Sequence, residues 1–300
     1  MNPSTTFANA VATVQQRLEA AELSFGHGTD NAFDEAVWLI CSAANLEPDG
    51  IDEATWGTIL DHTQLANIES ICSERVGARR PLAYINRRMW FAGHEFYVDE
   101  RVLIPRSHLG EWIDDRFEPW INAGDVRRIL DLCTGSGCIG VALAYAFPDA
   151  QIVASDVSRR ALQVAQTNVK RHRLEQRIEL IHSDLFDQFE GRQFDLIVSN
   201  PPYVGQSAMQ ELPAEYRHEP DIALNGGTNG LALIDQILLD ARRFLADTGV
   251  LVLEAASAAP ALKTEYPDVP FNWLASGGGD EVLLIISAAE LKRLVGSKRS

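Results

Sequence analysis

The sequence has few cysteines and no extended apolar stretch. Its four cysteines, Cys41, Cys72, Cys133 and Cys138, are scattered through 300 residues, which excludes a disulfide framework and argues against a zinc site. No segment approaches the ~18 consecutive apolar residues of a membrane span, and residues 1–10 lack the basic and apolar regions of a secretion signal. We therefore expect a cytoplasmic protein with reduced cysteines, no bound metal and no membrane association.

Basic residues are scarce in the first quarter of the chain. The formal net charge is −16 overall, and residues 1–74 contain twelve acidic side chains against one base, Arg17, which gives −11. A surface of this charge disfavours an extended track for nucleic-acid phosphates and suits a basic partner. The alternative is an acidic surface that only keeps the protein soluble.

Helical periodicity dominates the start of the chain, and 46% hydrophobic content allows a substantial core. The predicted helices cover residues 5–23, 33–44, 56–60 and 65–76. Two short aromatic runs around Ala92-Gly93 then predict a β-hairpin. We predict a helical substrate-recognition domain at 1–80, a hairpin linker at 81–105 and a catalytic domain at 106–300.

Strands alternate with helices from Arg128 onward. The predicted strands cover residues 129–132, 152–155, 178–181, 194–199 and 250–254, followed by an antiparallel pair at 271–274 and 282–286. The predicted helices of this part cover residues 111–120, 138–146, 159–171 and 231–245. Such alternation predicts a doubly wound α/β fold with a seven-stranded, mostly parallel sheet and an antiparallel edge, preceded by the small helical domain and the β-hairpin.

Polar residues and glycines follow the first three strands of this sheet. Gly135 and Gly137 let the backbone approach a ligand, and the helix that follows offers free amide hydrogens. Asp156 ends the next strand, where a carboxylate can bind both hydroxyls of a ribose. Asp184 follows the third strand and can accept a hydrogen bond from an exocyclic amine such as that of adenine. The three strand ends therefore predict a site for adenosine.

The tetrapeptide Asn200-Pro201-Pro202-Tyr203 follows the fourth strand. The side-chain carbonyl of Asn200 and the backbone carbonyl of Pro201 can accept both hydrogens of a planar NH2 group, and Tyr203 can pack flat against that group. The motif thus favours transfer of a group to a weakly nucleophilic nitrogen. Taken alone, a Pro-Pro-Tyr sequence is equally compatible with an ordinary loop.

Residues 135–140 also match the glycine fingerprint of dinucleotide-binding enzymes. A nicotinamide-dependent enzyme is therefore an alternative. Asp131 argues against it, because a carboxylate at the end of the first strand would repel a pyrophosphate but can hold the amino group of a methionine moiety. The chain also lacks a second nucleotide-binding half, so we favour a methyl donor over a hydride donor.

These motifs together carry a family resemblance. Residues 131–137, Asp156, Asp184 and residues 200–203 resemble the class I methyltransferases that depend on S-adenosylmethionine. Residues 102–106 and the helical amino-terminal domain resemble the protein-glutamine methyltransferase branch. Residues 104–107, 215–220 and 266–271 are more similar to the members that modify the large-subunit ribosomal protein L-three than to those that modify peptide release factors.

The resemblance implies an enzyme that transfers a methyl group from S-adenosylmethionine to a glutamine side-chain nitrogen of the basic ribosomal protein L-three. It implies a cofactor site formed by Asp131, Thr134, Gly135, Gly137, Asp156, Asp184 and Asn200. It also implies a substrate site formed by Asn200, Pro201, Pro202 and Tyr203, with Asn200, Pro201 and Tyr203 as the catalytic residues. Methylation of release factors, methylation of a nucleic-acid base and a catalytically silent role at the ribosome remain alternatives.

Overall fold

The computed structural model of the protein describes residues 4–297, and within residues 293–297 it describes only the backbone. Residues 1–3 and 298–300, the outer ends of the predicted first and last domains, lie outside the described residues. Among the helices of the described chain, none is long and apolar enough to cross a bilayer.

Two compact units make up the chain. The first runs to Met89 and also contains Val98–Glu100 and Pro213–His218; the second contains Trp90–Tyr97, Arg101–Leu212 and the chain from Glu219 onward. The predicted functional division at residues 80 and 105 stays a proposal, because compactness alone does not say which segment recognises a substrate.

The first unit is helical. Its helices are α1 (Phe7–Ala20), α2 (Ala32–Ala44), α3 (Glu53–Trp56), α4 (His62–Gly77) and α5 (Leu82–Asn86). The side chains of Thr6, Asn31 and Asp61 accept hydrogen bonds from backbone amides in the first turns of α1, α2 and α4. These caps satisfy amides that have no partner inside the helix, so they determine where each helix begins.

The helix predicted for residues 56–60 is wrong. α3 ends at Trp56, and Thr58–Leu60 instead pairs with Thr5–Phe7 as extended chain. The Phe7 amide donates to the Thr58 carbonyl at 2.9 Å, and the Leu60 amide donates to the Thr5 carbonyl at 3.0 Å. Ile59 is consequently 62% exposed while Leu60 is buried, which is the alternation of a strand and not of a helix.

A buried ion network lies inside the first unit. The Arg75 guanidinium donates to Glu35 at 2.5 Å and lies 3.4 Å from a carboxylate oxygen of Glu215, and Arg79 approaches the same oxygen at 2.9 Å. The Ser24 amide also donates to Glu215. Arg75, Glu35 and Glu215 are all buried. Burial alone would raise the pKa of Glu215, but the Ser24 amide and the two arginines outweigh it and lower that pKa below its ordinary value.

The second unit begins with a hairpin and continues as an α/β fold. The hairpin strands are β1 (Met89–Phe91), which starts at the last residue of the first unit, and β2 (His94–Phe96). The α/β part contains α6 (Leu109–Asp114), β3 (Arg128–Leu132), α7 (Cys138–Ala146), β4 (Gln151–Asp156), α8 (Arg159–Arg171), β5 (Ile178–His182), β6 (Phe194–Ser199), α9 (Gln206–Glu211), α10 (Ala232–Phe244), β7 (Leu245–Glu254), α11 (Ala259–Glu265), β8 (Asn272–Ala275), β9 (Glu281–Ser287) and α12 (Ala288–Ser297).

The predicted fold class is confirmed. The seven strands of the large sheet have the order β5-β4-β3-β6-β7-β9-β8, and only the pairs that involve β9 are antiparallel. Apolar side chains are buried on both faces of the sheet, where they pack against helices on each side. The register pairs Leu132 with Ser155 and Ser199, and Ser199 with Leu253, so the loops after β3, β4, β6 and β7 leave one edge of the sheet.

Replacing Glu215 with alanine would leave Arg75 buried without one of its counter-charges. We expect this variant to lower the free energy of unfolding by about 3–5 kcal/mol, because an uncompensated buried charge is costly. Urea denaturation at neutral pH measures the change. Glu211→Ala, which removes an exposed carboxylate four residues away, is the matched control. Equal unfolding free energies for the two variants would contradict the role of the network.

Candidate active site

A cavity opens at the carboxyl edge of the large sheet. It spans about 740 Å³, a volume that includes space open to solvent. Its wall includes four residues that stand at or just beyond the ends of β3, β4, β5 and β6, namely Cys133, Asp156, Asp184 and Asn200. The strand ends that the sequence marks for a ligand therefore meet at one place.

The predicted site residues divide into two groups around this cavity. The residues that form its wall are Gly135, Asp156, Asp184, Asn200 and Pro202. The residues that lie outside the wall are Asp131, Thr134, Gly137, Pro201 and Tyr203. Residues of the second group can act at the site in two ways. They can position other residues, or their backbone groups can contact a substrate.

The turn after β3 contains two glycines with different roles. Gly135 and Gly137 have φ angles of 56° and 81°, a region that favours glycine. A Cβ at Gly135 would meet no atom within 4 Å, so that side of the turn is open to a ligand. A Cβ at Gly137 would lie 3.1 Å from the Cβ of Ala165 in α8. Gly137 therefore permits close packing of the start of α7 against α8, which the sequence alone did not reveal.

Asp156 organises this end of the cavity. One carboxylate oxygen accepts a hydrogen bond from the Gly135 amide at 2.9 Å, and the other accepts one from the Ser158 amide at 2.8 Å. Burial raises the pKa of Asp156, and the two amide donors act against that rise. Each oxygen keeps a further lone pair, so the carboxylate can hold the glycine turn and still accept hydrogen bonds from two hydroxyl groups of a ligand.

Apolar side chains form much of the remaining wall. They are Leu103, Val157, Leu185 and Ile222, and Asp184 stands beside Leu185 in the sequence. Val157 and Ile222 are exposed although they are large and apolar. Exposed apolar groups around a cavity are suited to covering a flat aromatic ring, and an adjacent carboxylate can accept a hydrogen bond from an amine on that ring.

Asp131 and Thr134 are buried beneath the glycine turn. The Thr134 hydroxyl donates to one oxygen of Asp131 at 2.5 Å, whereas the other oxygen has no hydrogen-bond partner in the described part of the chain. Burial raises the pKa of Asp131 to about 7, and the bond from Thr134 opposes the rise. A buried carboxylate oxygen without a donor is costly, so this pair suits a ligand that supplies a cationic donor.

The Asn200 side chain stands at the cavity with unused hydrogen-bonding capacity. Asn200 is half-buried, and within the described residues neither its side chain nor the Pro201 carbonyl has a hydrogen-bond partner. Pro201 and Pro202 are buried, and Tyr203 is half-buried against the apolar core under the sheet. Two adjacent residues therefore each have an acceptor that no described residue uses.

Two glycines behind the tetrapeptide hold its backbone close to the loop that follows. A Cβ at Gly226 would lie 2.7 Å from Tyr203 Cα, and a Cβ at Gly230 would lie 2.3 Å from the Tyr203 carbonyl oxygen. The Val204 amide donates a hydrogen bond to the Leu224 carbonyl, and the Gly226 amide donates one to the Val204 carbonyl. The contacts leave the backbone at Tyr203 little room to shift.

Glu254 is a site residue that the sequence prediction missed. It ends β7, is buried, and accepts hydrogen bonds from the Tyr203 hydroxyl at 3.1 Å and from the Ser107 hydroxyl. Burial raises the pKa of Glu254, while the Ser107 and Tyr203 hydroxyls and the His108 amide act in the opposite direction. The sequence does contain a pattern that could have identified Glu254. It is an acid at the end of an apolar strand, and Asp131 and Asp156 occupy similar positions near the ends of their strands.

Arg106 and Glu219 form a second missed pair. Both guanidinium nitrogens of Arg106 donate to the Glu219 carboxylate, at 2.5 and 2.7 Å, and the Ile104 amide donates to the same carboxylate at 2.9 Å. Residues 101–103, which precede Arg106, line the cavity. Pro220, Ile222 and Ala223, which follow Glu219, line it as well. The ion pair therefore ties two parts of the wall that are more than a hundred residues apart.

This fold and site define a class I methyltransferase. Residues 119–215 match the family model of the methyltransferase small domain. The crystal structure of the hMettl16 catalytic domain shares the fold, with a TM-score of 0.51, 16% identity and coverage of 83% of this chain and 92% of that chain.

Curated relatives identify the family within that class. The ribosomal protein uL3 glutamine methyltransferase of Francisella tularensis subsp. tularensis is 46% identical over 270 residues, which cover 89% of this chain and 86% of the relative. The enzyme of the same name from Neisseria gonorrhoeae is 43% identical and covers 96% of each chain, and that of Burkholderia pseudomallei is 40% identical and covers 98% of each. The chain belongs to the family of ribosomal protein uL3 glutamine methyltransferases, which confirms the predicted resemblance.

The bond between Tyr203 and Glu254 can be tested by a double-mutant cycle. We expect Tyr203→Phe and Glu254→Leu each to lower the free energy of unfolding, because each removes one partner of the hydrogen bond between them. We expect the double variant to lose about 1 kcal/mol less than the sum of the two single losses, since both remove the same interaction. Chemical denaturation gives the three values. Additive losses would show that the two side chains are not coupled.

Proposed function

We propose that this protein transfers a methyl group from S-adenosylmethionine to the side-chain nitrogen of a glutamine in the ribosomal protein uL3. The observation that carries the proposal is a pair of adjacent unpartnered acceptors, the Asn200 side chain in the cavity wall and the carbonyl of the next residue, Pro201. The names of relatives at 40–46% identity supply the substrate. We place the reaction in the cytoplasm, where ribosomal proteins are made.

The residues of the cavity wall, together with β3 and the turn after it, fit this cofactor. Asp156 has a free lone pair on each oxygen for the ribose hydroxyls, and Asp184 lies beside the apolar wall that suits adenine. The unpartnered oxygen of Asp131 suits the amino group of the methionine moiety, with Thr134 holding the other oxygen. Gly135 opens the backbone to the ligand, and Gly137 sets the start of α7. When bound, S-adenosylmethionine supplies a methyl group attached to a positively charged sulfur.

Asn200 and Pro201 orient the substrate amide. An amide nitrogen is a weak nucleophile, because its lone pair is delocalised into the carbonyl group. Acceptance of both N–H hydrogens by the Asn200 side-chain oxygen and the Pro201 carbonyl fixes the direction in which that nitrogen points, while Tyr203 packs against the planar group. Positioning of this kind can contribute ~7–11 kcal/mol to lowering the barrier.

The same two acceptors stabilise the charge that develops during transfer. The nitrogen becomes positive as the new N–C bond forms, and the carbonyl dipoles of Asn200 and Pro201 point their negative ends at its hydrogens. The methylated amide is then acidic enough to lose a proton to water. Asn200 therefore serves to orient the substrate and to stabilise charge, and the reaction needs no side-chain base.

We propose a protein as the substrate in preference to a nucleic acid. The hydrogen-bond pattern of Asn200 and Pro201 would also suit the amino group of a nucleic-acid base. The first 74 residues, however, carry a net charge of −11, and binding of an extended polyanion requires many basic residues. An acidic surface of this kind suits a basic ribosomal protein.

The proposed reaction is tested by incubating the protein with labelled S-adenosylmethionine and ribosomal proteins from cells that lack the enzyme, followed by peptide mass spectrometry. We expect label on a glutamine of uL3. We expect Asn200→Ala to keep cofactor binding largely intact and to lose turnover by ~100-fold or more, because one of the two charge-stabilising acceptors is gone. Label on release factors or on RNA alone would overturn the proposed substrate. Weaker cofactor binding with unchanged turnover would overturn the role of Asn200.

Cofactor affinity should depend on the ionisation of Asp131. Its pKa of about 7 means that the carboxyl group is neutral below this pH and charged above it. Only the charged form pairs with an ammonium group, so we expect affinity to fall by up to ~10-fold for each pH unit below about 7. Calorimetric titration between pH 6 and 8 measures this slope. Asp131→Asn is the control and should bind weakly with a flatter slope; an unchanged slope would assign the dependence to another group, such as Asp156.

A further inference from the structure

The first unit carries an exposed apolar patch, which consists of Phe33, Trp56 and Ile59. Phe33 is 44% exposed, Ile59 is 62% exposed and Trp56 is half-buried. The rings of Phe33 and Trp56 are parallel, with centroids 6.3 Å apart, and the other side of Trp56 meets the buried ring of Phe7 edge-on at 5.3 Å. The patch is therefore supported from inside the unit by a core residue.

Backbone pairing places Ile59 opposite Thr6, the residue before Phe7. Thr58–Leu60 lies along Thr5–Phe7 through hydrogen bonds on both sides of Ile59. Phe7, the first residue of α1, thus neighbours both Trp56 and the Ile59 segment. Because the pairing fixes Ile59 with its side chain outward, its exposure results from the fold and not from a loose loop.

Four carboxylates lie close to the patch residues in the sequence. Asp34 follows Phe33 in the first turn of α2, Asp52 and Glu53 start the short helix that ends at Trp56, and Asp61 lies two residues after Ile59. All four are exposed. Asp52 and Asp61 are held in place because they cap α3 and α4, so part of the negative charge is fixed next to the apolar surface.

Five arginines of the unit pair with other acids. Arg17 pairs with Glu69, Arg75 and Arg79 pair with buried acids, Arg80 pairs with Glu74 and Glu100, and Arg88 pairs with Glu47. In the part of the chain that the structure describes, Asp34, Asp52, Glu53 and Asp61 form no ion pair. In the described part of the first unit, these four are half of the eight carboxylates without an ion pair; the others are Glu19, Glu22, Asp30 and Asp49.

We infer that the patch formed by Phe33, Trp56 and Ile59, with its rim of four carboxylates, is the docking surface for a basic segment of the protein substrate. Aromatic anchors at the centre of an interface supply most of its binding free energy, and charges at the rim set the rate of association. The complementary segment carries an apolar side chain flanked by lysines or arginines. The inference rests on the proposed function, since it assumes a protein substrate.

Two variants probe the two parts of the surface. Ile59→Ser removes an exposed apolar group, and the triple variant Asp52→Asn, Glu53→Gln, Asp61→Asn removes three charges while asparagine preserves both helix caps. We expect each to lower kcat/KM for intact uL3 roughly tenfold, with kcat unchanged. We also expect the triple variant to show a weaker dependence of the association rate on salt concentration. Activity on a short glutamine peptide should equal that of the unmodified protein.

Matched controls make the same chemical changes elsewhere. Glu19→Gln removes an exposed carboxylate near the far end of α1, roughly 18 Å along the helix from Phe7. Leu239→Ser removes an exposed apolar group from α10 in the second unit. Both controls should retain full kcat/KM on uL3.

The outcomes separate failure of the docking surface from failure of the proposed function. If the unmodified protein methylates neither uL3 nor the peptide, the proposed function fails. If it methylates uL3 and the two surface variants do so equally well, or if peptide and protein activity fall together, the docking surface is wrong. A dimer in analytical ultracentrifugation that Ile59→Ser dissociates would assign the patch to a second copy of this chain and would also overturn the inference.

Discussion

The register of the parallel strands is the constraint on which the site depends. Backbone hydrogen bonds align the last residues of β3, β4 and β6, so the side chains that follow them stand at one edge whatever their sequence separation. Asp156 and Asn200 are 44 residues apart in the chain, yet both line one cavity for this reason. A slip of one residue in any of these strands would turn the functional side chains toward the opposite face.

Around that edge, buried carboxylates fix the neighbouring backbone and side chains. Asp156 holds the glycine turn, Glu254 holds Tyr203 and Ser107, and Glu219 holds Arg106 and the amide of Ile104. Each carboxylate accepts several hydrogen bonds, which offsets the cost of its burial. Asp131 differs because one of its oxygens has no protein donor in the described part of the chain. Asp131 thus keeps hydrogen-bonding capacity that no described residue uses.

Much of the fold and of the candidate site could be predicted from local sequence. The features that were not predicted depend on contacts between residues that are distant in the sequence. Helix α8, with its Ser158 cap, and strand β6 depend on neighbouring residues, and both have the predicted bounds. The pairs Tyr203–Glu254 and Arg106–Glu219 join residues 51 and 113 positions apart, which no local pattern reports. The false helix at 56–60 has the same origin, since its backbone pairs with Thr5–Phe7 instead of with itself. The separate role of Gly137 depends on Ala165, a contact between two helices.

The membership of Pro213–His218 in the first unit has a consequence for how the chain folds during synthesis. Arg75 and Glu35 are made early, but Glu215 emerges from the ribosome 140 residues after Arg75. Until then Arg75 lacks one of the acids with which it pairs in the complete structure. Domains usually fold in the order of their synthesis. Here the amino-terminal unit reaches its final state only after most of the parallel strands of the other unit have been made.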